Sequence, residues 1–196
     1  MQLNRLKQQL EFIIEIDKLK NVLRQTLLID GSRRENSGEH SWHLAMMTMI
    51  LAEYAVEGTD LFRACQMSLI HDLVEIDAGD TFCFDVKANE SKAQRELQAA
   101  DRIFGLLPEE QGKELRLLWD EFEARETATA KFAAALDRIQ PFLHNRETKG
   151  GTWDIHNIKR NQVMKRMAPV EEGTPELWDF ILGEIEKCIA AGYLKS

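Results

Sequence analysis

Apolar residues recur along this chain at the three- and four-residue spacing of an α-helix, and no stretch shows the sustained alternation of a β-strand. In residues 2–17, one helical face carries five aliphatic side chains, those of Leu3, Leu6, Leu10, Ile13 and Ile14. Repeated over the chain, this periodicity predicts an all-α bundle of roughly seven to nine helices joined by short loops.

Glycine, proline and capping residues divide the chain into predicted elements. A short helical turn over 19–24 leads to an irregular, charged segment over 26–38, and Ser37 is a plausible N-cap for the next helix. That helix, from Glu39 to about Glu57, carries almost continuous apolar residues and is expected to be buried on most sides. Further helices are predicted over 88–104, from Pro108 onwards, over 129–145 and over 176–191.

Composition limits the classes of partner. The 196 residues are most simply one domain, and 33 acidic against 25 basic residues give a formal charge of −8. This charge disfavours a role on nucleic acid or on a membrane surface. Cys65, Cys83 and Cys188 are scattered, so neither a disulfide framework nor a thiolate zinc site is indicated. With no signal-peptide core and no apolar run of transmembrane length, we expect a cytoplasmic protein.

Residues 69–80, LIHDLVEIDAGD, concentrate ionisable groups at the end of an apolar helical segment. His71 and Asp72 are good ligands for a divalent metal, Glu75 follows Asp72 by about one helical turn, and Asp80 adds another carboxylate. Charge beside a core is costly unless it is compensated, and a bound cation is the usual compensation. Taken alone, the stretch fits an acidic, solvated helix end with one histidine equally well.

Two more ionisable side chains lie in apolar surroundings. His40 opens the apolar helix that begins near Glu39, and Asp137 interrupts the run KFAAALDRIQPF. A carboxylate in such a run is either paired with a buried arginine or bound to a metal. Arg138 is a poor partner, because it points about 100° away around the helix. Two imidazoles and two carboxylates, a mixture that suits Mn²⁺, Co²⁺, Fe²⁺ or Zn²⁺, are thus available from His40, His71, Asp72 and Asp137.

The order of these residues resembles the HD-domain superfamily of metal-dependent phosphohydrolases. The local sequences RRENSGEHS, HDLVEIDAGD and KFAAALD look most like the YfbR-type 5′-nucleotidases and their eukaryotic HD-domain-containing relatives, over roughly residues 5–145. The resemblance implies a single HD domain over 1–196. Its metal-site core would span about 38–145, and a C-terminal helical extension would span 150–196.

The resemblance also implies roles for individual residues. The positions that match the family's metal ligands are His40, His71, Asp72 and Asp137. Glu75 matches the acidic residue that activates or positions the attacking water, so Glu75 and Asp72 are the expected catalytic carboxylates. A divalent cation (Mn, Co, Fe, Mg or Zn) lowers the pKa of bound water, to ~7 in the best zinc cases, and neutralises phosphoryl oxygens.

Substrate contacts follow from the same resemblance. Asp80 matches a carboxylate that contacts the sugar of a deoxyribonucleoside monophosphate, and Arg24 matches an arginine near the substrate. Relatives have a tryptophan close to that arginine, where this chain has Leu27 or a neighbour, so no aromatic contact is carried over. Arg33 and Arg34 could also hold a phosphate, but two solvated loop charges are the simpler interpretation.

Several other residues are expected to pack in the core or to lie on the surface. His43 is expected to pack beside His40, and His144 is expected to have a surface or supporting role. Trp153 is expected to be a packing anchor, although it could close over a base together with His156. The basic residues nearby are expected to form a solvated stripe, made by Lys159, Arg160, Lys165 and Arg166.

We therefore expect a metal-dependent phosphohydrolase, a phosphomonoesterase acting on (deoxy)ribonucleoside 5′-monophosphates through a metal-activated water. The relatives suggest a homodimer with a small-molecule phosphate ester as its partner, and neither nucleic acid nor membrane. The alternatives are an HD hydrolase for another phosphate ester or a nucleoside triphosphate, a non-catalytic nucleotide-binding HD sensor module, and a purely structural bundle. The complete ligand set together with Glu75 favours the enzyme.

Overall fold

The computed structural model describes residues 2–196 and is predominantly helical, as the periodicity predicts. Helix α1 (Gln2–Ile16) and a 3₁₀ helix (Asp17–Asn21) precede two short antiparallel strands, β1 (Leu23–Leu27) and β2 (Arg34–Asn36). The helices that follow are α2 (Ser37–Ile50), α3 (Leu61–Ile70), α4 (Glu75–Ala78), α5 (Val86–Asn89), α6 (Lys92–Phe104), α7 (Glu109–Ala124), α8 (Ala128–Glu147), α9 (Gly151–Ile155), α10 (Arg160–Met167), α11 (Pro169–Gly173) and α12 (Pro175–Ala190).

The hairpin of β1 and β2 corrects the expectation of an irregular segment over 26–38. Its strands have five and three residues, and their register is irregular between Leu23 and Leu27. The inward positions are polar, since Arg24, Thr26 and Glu35 are buried. A search for alternating apolar residues cannot find such strands, because their buried positions carry polar side chains instead of apolar ones.

The start of α2 is fixed by a capping box. Asn36, and not Ser37, is the N-cap: its side chain accepts a hydrogen bond from the backbone N–H of Glu39, whose carboxylate accepts one from the Asn36 N–H. Ser37 is instead the first helical residue, and its hydroxyl is free to point inward.

The expectation that α2 is buried on most sides is wrong. The helix ends at Ile50 and buries only the face that carries Leu44 and Met47. A stripe of large apolar side chains on the opposite face is exposed, made by Trp42, Met46, Met49 and Ile50. The aliphatic face of α1 is exposed as well, and Phe12 is the buried residue of that helix.

Helix α8 is the centre of the fold. It packs against α2, α3, α7, α10 and α11, and its residues from Phe132 to Leu136 are completely buried. The same core includes Ile181 and Ile185 of α12, so residues 150–196 share the core of the segment that precedes them. Among the helices of residues 2–196, none combines the length and the apolar character that a bilayer crossing requires.

Candidate functional site

The four predicted ligands come from three helical segments that converge on α8. His40 lies in the first turn of α2, the pair His71 and Asp72 directly follows α3, and Asp137 lies in the middle of α8. All four are buried, with exposed fractions of 0% for His40 and at most 7% for the others. Close packing of α2 and α3 against α8 brings together residues almost a hundred positions apart.

The polar atoms of this group lie at short mutual distances. His40 Nε2 is 3.0 Å from an oxygen of Asp137, and His71 Nε2 is 3.1 Å from an oxygen of Asp72. The two crossed distances are 3.8 Å, from His71 Nε2 to Asp137, and 3.9 Å, from His40 Nε2 to Asp72. One atom of each of His40, His71 and Asp137 lies within 4.8 Å of the other two, as metal ligands require.

The far side of each imidazole faces an oxygen atom. His71 Nδ1 donates to the backbone carbonyl of Ser68 at 3.0 Å, which leaves the lone pair on Nε2. His40 Nδ1 faces Glu35 Oε2 at 3.7 Å, and neither atom has a hydrogen-bond partner among residues 2–196. Burial lowers the pKa of His40 to about 4, so the ring is neutral at neutral pH. Metal-bound histidines are typically oriented by a carbonyl or a carboxylate in this way.

This arrangement fits a divalent cation. His40 Nε2 lies within hydrogen-bond distance of Asp137. His71 has its ring proton on Nδ1, so its Nε2 turns a lone pair towards Asp72 and is buried without a partner among residues 2–196. A histidine lone pair and two carboxylates at such distances repel one another unless positive charge lies between them. A mixed set of two imidazoles and two carboxylates suits Mn²⁺, Fe²⁺, Co²⁺ or Zn²⁺ and leaves room for further ligands.

Arg138 corrects an expectation from the sequence. Its guanidinium folds back and donates to Asp137 Oδ2, although the two residues are neighbours on the helix. An arginine side chain is long enough to span the 100° between adjacent positions, so the angle between two positions on a helix does not exclude their pairing. Burial by itself would raise the pKa of Asp137, but Arg138 and His40 hold it well below its ordinary value. Asp137 therefore pairs with an arginine and also faces the histidines.

Arg24 supports Asp72 in the same manner. Its Nη1 donates to Asp72 Oδ2 at 2.7 Å, and its Nε lies 3.6 Å from Glu35 Oε2. Burial by itself would lower the pKa of Arg24, but the carboxylates around it, with Asp72 first, raise it. Arg24 lines the cavity described below, which is where an arginine near the substrate is expected. Its charge is already paired with that of Asp72.

Glu75 and Asp80 lie beside the ligand group. Glu75 is buried at the start of α4, and Ser37 donates to its Oε2 at 2.6 Å. Burial and the nearby Asp72 raise its pKa well above the ordinary value. Asp80 is half-buried on the cavity wall, and burial raises its pKa too, against the opposing effect of Arg24. Asp77, between them in sequence, is exposed and pairs with Arg102 away from the site.

A cavity of about 370 Å³ opens onto these residues. Its volume is at the lower end of the range typical of small-molecule sites. The lining includes aromatic side chains from four segments, those of Phe82, Phe84, Phe122, Phe142 and Trp153. The structure thus supplies from other elements the aromatic surface that is missing next to Arg24.

Arg166 on α10 lies in the wall of this cavity, and its assignment to a solvated stripe was wrong. Within residues 2–196 its guanidinium has no acceptor and no carboxylate at ion-pair distance. Burial, and then the charge of Arg138, lower its pKa to about 10, so it remains cationic at neutral pH. A half-buried arginine without a counterion, next to a second guanidinium, attracts an anion. The available sequence signal for this burial was that Arg166 follows Val163 by one helical turn and directly precedes Met167, and both of those residues are buried.

Trp153, His156 and Arg33 have the packing or surface positions expected of them. Trp153 is buried with its ring 5.7 Å from that of Phe142, and so acts as a packing anchor that also lines the cavity. His156 is exposed, with its ring 4.4 Å from that of Phe82. Arg33 pairs with Glu39 on the surface.

Glu35 and Ser37 also belong to the site. The sequence motif that contains them, RENSGEHS, indicated an N-cap at Ser37 and a family resemblance, but it gave neither residue a place in the site, and both point inward to it. The available signal was a polar residue on each side of the N-cap position of the helix that carries His40.

Comparisons with known proteins agree with the geometry. The family model of the HD domain matches residues 16–178. A human protein named 5′-deoxynucleotidase HDDC2 is 32% identical over 139 residues, which cover 70% of this chain and 67% of that protein. Its namesake from Dictyostelium discoideum is 31% identical over 154 residues, covering 76% and 81%. The crystal structure of a predicted metal-dependent phosphohydrolase from Magnetospirillum magnetotacticum MS-1 superposes with a TM-score of 0.95 at 53% identity, covering 98% of this chain and 96% of that one.

A divalent cation should raise the melting temperature of the metal-free protein. At a free ion concentration of 100 times Kd, binding adds about 2.7 kcal/mol to the free energy of unfolding. For a chain of this length that corresponds to roughly 5–10 °C. Asp137→Ala should lose most of the increase, and the exposed Asp179→Ala should keep it. Differential scanning calorimetry with and without the ion measures the effect, and an equal increase in both variants would contradict the assignment.

Proposed function

The chain belongs to the HD domain family, and from that membership we propose that it is a metal-dependent phosphohydrolase that releases phosphate from nucleoside 5′-monophosphates, deoxyribonucleotides among them. The observation that carries the proposal is the buried group of His40, His71, Asp72 and Asp137, of which the last three line a cavity that also holds an unpaired arginine. The names of the human and Dictyostelium relatives, 5′-deoxynucleotidase, support the choice of substrate.

The four ligands would hold the cation through two imidazole nitrogens and two carboxylates. When bound, the ion acidifies water and neutralises phosphoryl oxygens. Arg24 and Arg138 each occupy one oxygen of a ligand carboxylate, Asp72 and Asp137 respectively, which leaves the other oxygen of each to face the histidines. The two arginines thus fix the rotation of both carboxylates.

Glu75 is the proton acceptor that we propose for the attacking water. It lines the cavity, lies outside the ligand set, and is held by Ser37 through one oxygen, so the other is available. A carboxylate whose pKa is raised is a better base near neutral pH than an ordinary one. The water oxygen bonds to phosphorus as the bond from phosphorus to the nucleoside 5′-oxygen breaks, and Glu75 can return the proton to that leaving oxygen.

The cavity wall provides contacts for the rest of the substrate. We assign Arg166 to the phosphate oxygens and Asp80 to a sugar hydroxyl, and the aromatic surface around Phe82 to the base. A single phosphate suits the available charge. Arg24 and Arg138 are engaged by carboxylates and Lys92 lies 3.1 Å from Glu96. Among residues 2–196 that line the cavity, Arg125 and Arg166 are then the cations left, which are few for the charge of a triphosphate.

Phosphate release from a panel of ribo- and deoxyribonucleoside monophosphates should appear when Mn²⁺, Co²⁺, Mg²⁺ or Zn²⁺ is returned to chelated protein. Glu75→Gln should lower kcat by at least about 100-fold, because it removes the proton acceptor. The same variant should retain the increase in melting temperature with metal, because the four ligands remain. If the folded, metal-loaded protein releases no phosphate from any nucleotide of the panel, the proposed monophosphatase activity is excluded. Another phosphate ester as substrate, or a role as a nucleotide sensor, would then be favoured.

Arg166→Met should raise KM for a monophosphate about 10- to 100-fold, since a charge-assisted hydrogen bond to an anion contributes roughly 1.5–3 kcal/mol. Lys165→Met is the matched control: it removes a cation at the adjacent, exposed position, which is outside the cavity. Steady-state kinetics of both variants test the role. An unchanged KM in Arg166→Met, or an equal increase in both variants, would exclude a direct contact of Arg166 with the substrate.

We also propose a homodimer in the cytoplasm. The exposed apolar stripe of Trp42, Met46, Met49 and Ile50 on α2 supports an interface with a second copy, and free cysteines suit a reducing compartment. Met49→Lys should shift the protein to the monomer in sedimentation velocity, whereas Ile13→Lys on the exposed face of α1 should not. A monomeric wild type would remove the basis for the interface.

A further inference from the structure

A second group of ligand-type side chains lies on the other side of Glu35. Glu35, His43 and His144 each offer one ligand atom within 4.8 Å of the other two. The nitrogens that face each other, His43 Nδ1 and His144 Nε2, are 3.5 Å apart. Glu35 and His144 are buried and His43 is half-buried. The proposed reaction uses neither histidine.

The amide of Gln140 lies at the centre of this group. Its Nε2 is 2.6 Å from Glu35 Oε1, 3.0 Å from His144 Nε2 and 3.4 Å from His43 Nδ1. His144 Nδ1 donates to the carbonyl of Leu27 at 2.8 Å, so its Nε2 carries the lone pair. An amide nitrogen has two protons, so Gln140 Nε2 can donate to Glu35 and to His144 and has no proton left for His43.

The other end of the Gln140 amide has no partner. Gln140 is completely buried, and its Oε1 accepts no hydrogen bond from residues 2–196. The two ends of an amide are nearly equal in size, so a half-turn exchanges oxygen and nitrogen with little change of shape. After that turn, four donor atoms lie close together, and the four measured separations among them are 2.6, 3.0, 3.4 and 3.5 Å. Ligands bound at ~2.1 Å are about 3.0–3.4 Å apart, so three of these separations are near those around a bound ion, and the 2.6 Å separation between Gln140 and Glu35 would lengthen on binding.

We propose that Glu35, His43, Gln140 and His144 form a second metal site that takes a transition-metal dication such as Zn²⁺ or Co²⁺. Two imidazoles, one carboxylate and one amide oxygen are donors that these ions accept. Burial lowers the pKa of both His43 and His144, which keeps their lone pairs available at neutral pH. The bond from His144 to Leu27 orients that ring as the carbonyl of Ser68 orients His71 at the first site. The site does not depend on the proposed reaction.

Counting bound ions tests the proposal, with the full-length, tag-free, metal-free protein and Zn²⁺ in isothermal titration calorimetry. The wild type should bind two ions, and Asp72→Ala/Asp137→Ala, which lacks the first site, should bind one. Adding His43→Gln or His144→Gln to that double variant should weaken the remaining site at least about tenfold. Co²⁺ in the double variant should show the visible absorption of a four-coordinate ion, and that absorption should vanish with His144→Gln.

His156→Gln in the double variant is the control, since this exposed histidine lies outside both groups and should leave the count unchanged. Circular dichroism melts establish that each variant is folded. Where the double variant does not melt cooperatively, the wild-type background decides: two ions bind to the wild type and one to His43→Gln. A single ion in the wild type, or affinities unchanged by His43→Gln and His144→Gln, would overturn the second site.

Discussion

Two carboxylates and two imidazoles are held in the interior of the bundle, and the rest of the structure depends on compensating the carboxylate charge. Asp137 follows five residues of α8 that are completely buried, where an unpaired carboxylate would be strongly destabilising. Arg138 and Arg24 supply the compensation, through one oxygen of Asp137 and of Asp72 respectively. The buried arginines therefore stabilise the fold and orient the two proposed ligand carboxylates through the same hydrogen bonds.

The hairpin of β1 and β2 supplies part of this polar interior. Strands β1 and β2 carry Arg24 and Glu35 inward, and the capping box at Asn36 then starts α2 so that Ser37 and His40 face the same interior. A helix in place of the hairpin would distribute these residues around its axis at 100° intervals. Two short strands instead direct alternate side chains to one side, which is what a polar wall requires.

The sequence was sufficient for several helices and for the choice of the four proposed ligands, because both leave local signals. Apolar spacing located α8 and α12 within one or two residues, and Asp137 was conspicuous as a charge within an apolar run. The hairpin, Glu35 and Arg166 were not predictable in that way. Their burial results from contacts with distant segments, and a polar residue that is buried by tertiary packing looks in the sequence like a polar residue in solvent. Arg138 was misjudged because helical angles describe Cβ directions, whereas a long side chain can bend back.

Glu35 connects the two groups of ligands electrostatically. One of its oxygens faces His40 Nδ1 and Arg24 Nε, and the other is 2.6 Å from the amide of Gln140. A cation bound beside Gln140 would draw on the negative charge that also orients His40, so the ion affinity at one site would depend on occupancy of the other. Such coupling is reciprocal by thermodynamic necessity. Because a single buried carboxylate is shared, the two sites are expected to behave as one electrostatic unit.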